Sequence, residues 1–389
     1  MPHAATKAQT LLAGSLLVLW AACTPVPKAA AVDGEGLKAF AGARIVDGTG
    51  AGAVEGAGIL VREGRIEAIG ANVEIPEGVE TVDLTGKFVV PGFINAHGHV
   101  GGVRGLELGH YTEDNLLDQL GLYARYGITT VNSLGGDGPE AVALREAQDA
   151  SLDRARIFLA GAVVAADTID EARSMVDANA ELGVDVIKIR VDDNLGTTKK
   201  MAPEIYRAVI DRAHEKGLRV ASHLFYLEDA HGLLEAGTDF VAHSVRDREV
   251  DEELVSLLKE KDVCYCPTLT REVSTFVYEE VPEFFEDPFF LKEADTAVLE
   301  QLKDPERMRS VRDSPSARRY KTALEIAMKN LKTVADGGAK VAFGTDTGPP
   351  ARFQGYFEHM EMAMMAEAGL TPAQIITSAT GDAARCLGF

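Results

Sequence analysis

The chain reads as an α/β protein in which eight strand–helix units close into a (β/α)8 TIM-type barrel, with a small β segment ahead of it. Three observations predict this. Short apolar runs at residues 93–97, 128–134, 157–164, 186–191, 220–225, 240–243, 263–269 and 341–345 read as strands buried on both faces. Helical patterns such as 202–216 and 323–335 lie between them. Eight such units over about 290 residues suit a closed barrel better than an open doubly wound sheet. No Gly-x-Gly-x-x-Gly follows the first run, which argues against a dinucleotide fold.

The segments are taken in chain order. Lys7 precedes the apolar run 11–20, then come Ala21, Ala22 and Cys23. That order reads as a secretory signal over residues 1–22, with an apolar core too short to span a bilayer. It resembles a bacterial lipoprotein signal, which implies Cys23 as a lipid anchor and an exported periplasmic or cell-envelope location. Trp20 stands where Leu is usual in that pattern, so plain secretion is the alternative. Residues 23–36 are rich in Pro, Ala and Gly and read as a tether. Residues 37–91 read as a small β domain: 58–70 as two strands about Glu63-Gly64, 81–90 as another pair, and Pro91-Gly92 as the end. The barrel takes 92–389. Within it, 271–320 is an acidic, Phe- and Pro-rich insertion, read as a lid or pocket wall.

Composition narrows the partners. Hydrophobic residues are 46% and charged residues 25%, values of a folded chain. Thirty-nine Lys plus Arg against 60 Asp plus Glu give a net charge of −21, which repels nucleic acid and leaves a small-molecule substrate. Four Cys are too few for a disulfide scaffold. Cys264 and Cys266 share a strand face and are badly placed to bridge each other; with Cys386 they read as buried small hydrophobes.

Polar residues stand at the strand ends, where barrel chemistry converges. The first strand ends in His97-Gly98-His99, the fourth carries Lys188, the fifth His223, the sixth His243, and the eighth runs into Asp346. Residues two apart on a strand face one way, so His97 and His99 can grip one metal ion, with Gly98 letting the backbone bend. Lys188 lies between Ile187 and Ile189, where a bare ammonium is costly. Such an amine can take up carbon dioxide as a carbamate and bridge two cations; the alternative is a tip that snorkels to solvent. Asp346 can touch a metal and move a proton, or cap a helix beside Thr345 and Thr347.

These parts together resemble the amidohydrolase superfamily, over about residues 42–389 and with the lead-in 89–99. The resemblance implies a barrel with a β-sandwich domain. It implies two divalent ions, Zn²⁺ by default and Mn²⁺ or Fe²⁺ otherwise, on His97, His99, Lys188 as carbamate, His223, His243 and Asp346. Asp346 is then the catalytic proton shuttle in hydrolysis of a carbon–nitrogen bond in an amide, cyclic amide or dipeptide. The dipeptidase- and imidazolonepropionase-like branches are the nearest. Deaminases carry a Glu three residues after the fifth-strand His, where this chain has Tyr226. Tyr226 and Arg190 are candidate substrate contacts, the first against a packed rim aromatic and the second against a pairing with Asp192 or Asp193. His110 is a weaker pocket candidate, and His3, His214, His231 and His359 read as surface. The family usually continues for several tens of residues beyond 379–385 to complete the sandwich, so the small domain is expected to lack its C-terminal half. A homo-oligomer is compatible with the pattern. The rival activities are ester, lactone or phosphoester hydrolysis on the same site, or a non-catalytic lipid-anchored binding protein.

Overall fold

The computed structural model describes residues 36–147 and 153–388. The expected signal, Cys23, His3 and nearly all of the tether lie outside them. Among the described residues no helix is long and apolar enough to cross a membrane.

The N-terminal segment folds as one five-stranded sheet. Leu37–Ile45 pairs antiparallel with Val54–Arg62, which turns back into Arg65–Gly70. Glu63 and Gly64 form that turn with φ of 48° and 75°, the left-handed geometry that matches strand twist. The pair expected at 81–90 is corrected. Glu80–Asp83 and Phe88–Val89 both run parallel to Leu37–Ile45 rather than against each other. Asp83 accepts hydrogen bonds from Thr85 N and Oγ1, and this local turn carries the chain onward along the same partner. The expected sandwich does not appear among the described residues, since all five strands lie in one sheet.

Beyond it, strand and helix alternate as expected. One parallel sheet has the order Arg156–Leu159, Ile128–Ser133, Phe93–Gly98, and a second Val186–Arg190, Arg219–His223, Phe240–Ala242, Cys264–Cys266. Backbone bonds tie the two sheets on both sides. Val164 N donates to Lys188 O at 2.7 Å; Ala342 N donates to Tyr265 O at 2.9 Å and Ala96 N to Phe343 O at 2.8 Å. The eighth segment is the departure from a continuous barrel ladder. Residues 341–347 form isolated bridges to Tyr265 and Gly98, not a strand. Asp346 at φ 59° takes the chain out of the extended conformation there.

Alternation along the strands sorts the core. Ile187, Ile189, Val241, Tyr265 and Phe343 face an outer layer of helices. Ala96, Ala160, Ala221, Ala242, Cys266 and Ala342 form an inner cluster with Ala383 and Cys386 of the last helix, Ala383–Leu387. That helix brings Cys386 onto the strand base, where it forms a disulfide with Cys264 across 122 residues of sequence. The reading of both as simple hydrophobes is thereby corrected. Only Cys266 is free among the described cysteines, and it is buried.

The 271–320 insertion is helical rather than loop. It includes Pro288–Leu291, Thr296–Leu302 and Pro305–Asp313, and residue 315 already begins the long helix Pro315–Asp336. Asp287, Asp295, Asp304 and Ser314 cap these helices through side-chain oxygens. Tyr278, Phe285, Phe290 and Leu299 give the insertion a core of its own, closed by Ala351 and Phe353. It therefore packs as a wall on the loop after the eighth segment.

Candidate metal centre

Each strand end delivers its polar residue to one place. Ile187 and Ile189 belong to the outer layer, so Lys188 points inward, and its Nζ lies 3.1 Å from His97 Nε2. The His97 strand shifts register between Asn95 and Gly98, an irregularity of the kind that re-aims side chains beside active sites. The His97 and His243 rings lie 4.5 Å apart between centroids, and those of His223 and His243 lie 4.3 Å apart. Asp346 Oδ1 is 2.8 Å from His99 Nε2 and 3.4 Å from His97 Nε2. All six expected ligands thus converge, and ligand atoms of His97, His99 and Asp346 lie within 4.8 Å of one another.

The backbone is shaped around this cluster. His243 has φ 86° and Asp346 φ 59°, costly conformations for residues with a β-carbon. Gly348, at φ 110°, passes so close to His99 that a Cβ would stand 2.0 Å from its carbonyl oxygen. The 346–348 turn can approach the His99 backbone only with glycine there.

The donor set fits a cation. His99 Nδ1 lies 3.0 Å from Gly135 O, an acceptor, so Nδ1 carries a proton. Its Nε2 meets the Asp346 carboxylate at 2.8 Å, so an imidazole nitrogen and a carboxylate oxygen, both groups that bind divalent cations, are held at one point. His97 Nδ1 is buried without a hydrogen-bond partner. His223 Nε2 donates to Asp192 Oδ2 at 3.0 Å, leaving its Nδ1 as the ligand nitrogen. His243 Nδ1 pairs with Thr268 Oγ1 at 2.7 Å, leaving Nε2. Burial holds His97 and His243 well below the ordinary imidazole pKa and pulls His223 down to about 4 against the opposing Asp192. All three are neutral, as ligands must be.

Burial alone would raise the Asp346 pKa. Arg352, His99 and His97 outweigh it and keep this carboxyl ionised well below its usual range. Arg352 contacts Asp346 Oδ2 and donates from Nε to Ser274 Oγ at 2.9 Å. Behind it, Arg246 and Arg271 share the Glu272 carboxylate at 2.8 and 3.0 Å. Lys188 is 3% exposed, and desolvation pulls it down to about 8 although Asp346 and Cys266 oppose the shift.

Arg190 donates to Asp192 Oδ1 at 3.1 Å, the pairing alternative. Tyr226 donates to Asp193 Oδ1 at 2.8 Å with Lys200 over its ring. His110 is half exposed beside Glu107. His214 and His231 pair with Asp239 and Asp251. His359 is corrected from surface to part-buried: its Nε2 bonds Tyr126 O at 2.8 Å, because the helix Tyr356–Glu367 packs on the residue after the helix Glu113–Arg125. Sequence reasoning missed Arg352, Thr268 and the orienting role of Asp192, which carry no spacing signal.

The sequence pattern of the amidohydrolase family matches residues 88–389. The chain belongs to the amidohydrolase family. Uncharacterised proteins of Mycobacterium bovis and Mycobacterium tuberculosis are 26% identical over 200 residues, 49% of this chain and 53% of theirs. The chain thus spans about half the length of those relatives. A 5-methylthioadenosine/S-adenosylhomocysteine deaminase of Halobacterium salinarum is 27% identical over 338 residues, 81% of this chain and 72% of that one. Among solved structures, a Xaa-Pro dipeptidase with methionine in its active site superposes with a TM-score of 0.71 at 21% identity, covering 90% of this amidohydrolase and 88% of the dipeptidase. A putative prolidase from Bifidobacterium longum does so with a TM-score of 0.68 at 26% identity, covering 90% and 84%.

Proposed function

We propose that this amidohydrolase cleaves a carbon–nitrogen bond at a centre where His97, His99, Lys188, His223, His243 and Asp346 hold two divalent ions, zinc by default, on a (β/α)8 scaffold. The observation that carries the reading is the gathering of ligand atoms of His97, His99 and Asp346 within 4.8 Å of one another, beside Lys188, His223 and His243. Lys188 would hold the ions as its carbamate, which forms when the neutral amine adds to carbon dioxide and releases a proton. Bound there, such ions lower the pKa of a water and polarise the scissile carbonyl.

The chain's own residues do the rest. Asp346, ionised and held by Arg352, takes a proton from the attacking water and returns it to the leaving nitrogen. Asp192 and Thr268 fix the ring orientations of His223 and His243. Among the described residues, Arg246, Arg271 and Arg352 face only the Glu272 and Asp346 carboxylates, so the wall on the Asp346 side carries one positive charge in excess. An α-carboxylate on the leaving amine would meet that wall. Dipeptides and N-acyl amino acids have this shape. The solved relatives, a Xaa-Pro dipeptidase and a putative prolidase, point the same way. A deaminase reading has less support: Leu224-Phe225-Tyr226 follows His223 with no carboxylate, and Lys188 is buried at the centre. The Cys264–Cys386 disulfide supports export to an oxidising compartment.

The test is a matched panel: dipeptides and N-acyl amino acids, the same compounds with the carboxylate amidated, and the corresponding esters. Charge-assisted hydrogen bonds contribute about 1.5–3 kcal/mol, so kcat/KM should be about tenfold to a hundredfold higher with the free carboxylate. Preference for esters, or turnover of none of the amides, contradicts the reading.

A further inference from the structure

Two carboxylates with no place in the chemistry above are buried beside the centre, one turn apart on the helix Tyr356–Glu367. Glu358 and Glu361 are both fully inaccessible to solvent. A buried carboxylate is expensive unless donors surround it, and among the described residues no lysine or arginine bonds to either one.

Their partners are the segments that carry the site. Glu358 Oε1 accepts from Thr345 Oγ1 at 2.7 Å and Thr347 Oγ1 at 2.6 Å, the two neighbours of Asp346. It also accepts from Asn95 Nδ2 at 2.7 Å, while Asn95 Oδ1 accepts from His97 N at 3.0 Å. Glu358 Oε2 takes Gly355 N at 2.6 Å, capping its own helix. Tyr123 completes the group through its hydroxyl, 2.7 Å from Thr347 Oγ1. Glu361 grips a different stretch. Its Oε1 accepts from Leu269 N at 2.7 Å, and its Oε2 from Thr270 N at 2.7 Å and Thr270 Oγ1 at 2.8 Å. The adjoining Thr268, at φ 48°, holds His243 Nδ1.

We infer that this helix is a clamp with two separable arms, Glu358 positioning the His97, His99 and Asp346 group and Glu361 positioning His243 through the 268–270 turn. The inference rests on the metal-hydrolase reading for its purpose, but not for its geometry. The physical ground is that the buried Thr345 and Thr347 hydroxyls and the Leu269 and Thr270 amides need acceptors, and an anionic oxygen accepts several at once. Glu358 and Glu361 are positioning residues, since neither touches the reacting atoms.

The experiment uses the full chain labelled with ¹⁵N-histidine, as wild type, Glu358→Gln and Glu361→Gln, with and without added Zn²⁺. Glutamine keeps the shape but turns one acceptor oxygen into a donor. In the metal-free protein, Glu361→Gln should move the imidazole resonances of His243 and leave those of His99 in place; Glu358→Gln should do the reverse. In the loaded protein, each variant should weaken one of the two zinc affinities about tenfold to a hundredfold, the usual effect of an outer-sphere change. The clamp is overturned if both variants shift all the imidazoles alike in proportion to a lower Tm, or shift none. Absence of zinc binding by the wild type would instead sink the hydrolase reading, while the metal-free spectra still decide the clamp. If either glutamine variant fails to fold, Thr268→Val and Thr347→Val carry the same pair of expectations, one arm each.

Discussion

Asp346→Asn is expected to lower kcat by about a thousandfold, within the range of about 10²–10⁴ that a positioned acid–base group supplies. Asparagine fills the same volume and can still accept from Arg352, so the fold and the neighbouring loop should persist. What it cannot do is take a proton at its oxygen and hand it on. The wild-type carboxylate is kept ionised, and so able to accept a proton, by its surroundings: burial works to protonate it, and Arg352 with His99 and His97 prevails. The measurement is kcat and KM on the best amide of the panel, with circular dichroism and metal content on the same sample. Turnover within about tenfold of wild type, at equal metal content, would remove Asp346 from the proton transfer.

Lys188→Ala should cost one of the two ions and about a hundredfold or more in turnover. The side chain is 3% exposed, its flanking isoleucines face the outer layer, and its polar contact is His97 Nε2 at 3.1 Å. An ammonium there repels any cation nearby, and desolvation already draws its pKa down to about 8. A neutral amine that becomes a carbamate turns that liability into two anionic oxygens. Alanine leaves a cavity lined by ligands, so acetate or propionate should restore part of the activity and the second ion. Two ions and full turnover in the variant without added carboxylate would show that Lys188 is no bridge.

The sequence made the inward set of the site legible because its signal is local. Period two along a strand places Lys188 opposite its isoleucines, and a histidine or aspartate straight after an apolar run lies at the catalytic end of a barrel. The Glu63-Gly64 turn was legible for the same reason. What escaped is held by long-range packing. Glu358 and Glu361 look like the solvent face of an amphipathic helix, and only the arrival of the 345–347 and 268–270 turns makes them internal acceptors. Cys386 meets Cys264 only because the last helix closes the strand base. The eighth segment has the composition of a strand, yet the backbone strain at Asp346 leaves it as bridges. The 271–320 insertion reads as loop because its helices are short; each depends on its own cap and on a shared aromatic cluster rather than on long periodicity.

The central claim is a two-ion centre, and elemental mass spectrometry of the folded chain, purified without chelator, tests it most directly. The account predicts about two divalent ions per chain, falling to about one in Lys188→Ala. One ion or none in the folded wild-type protein, after incubation with excess zinc and bicarbonate, would contradict it.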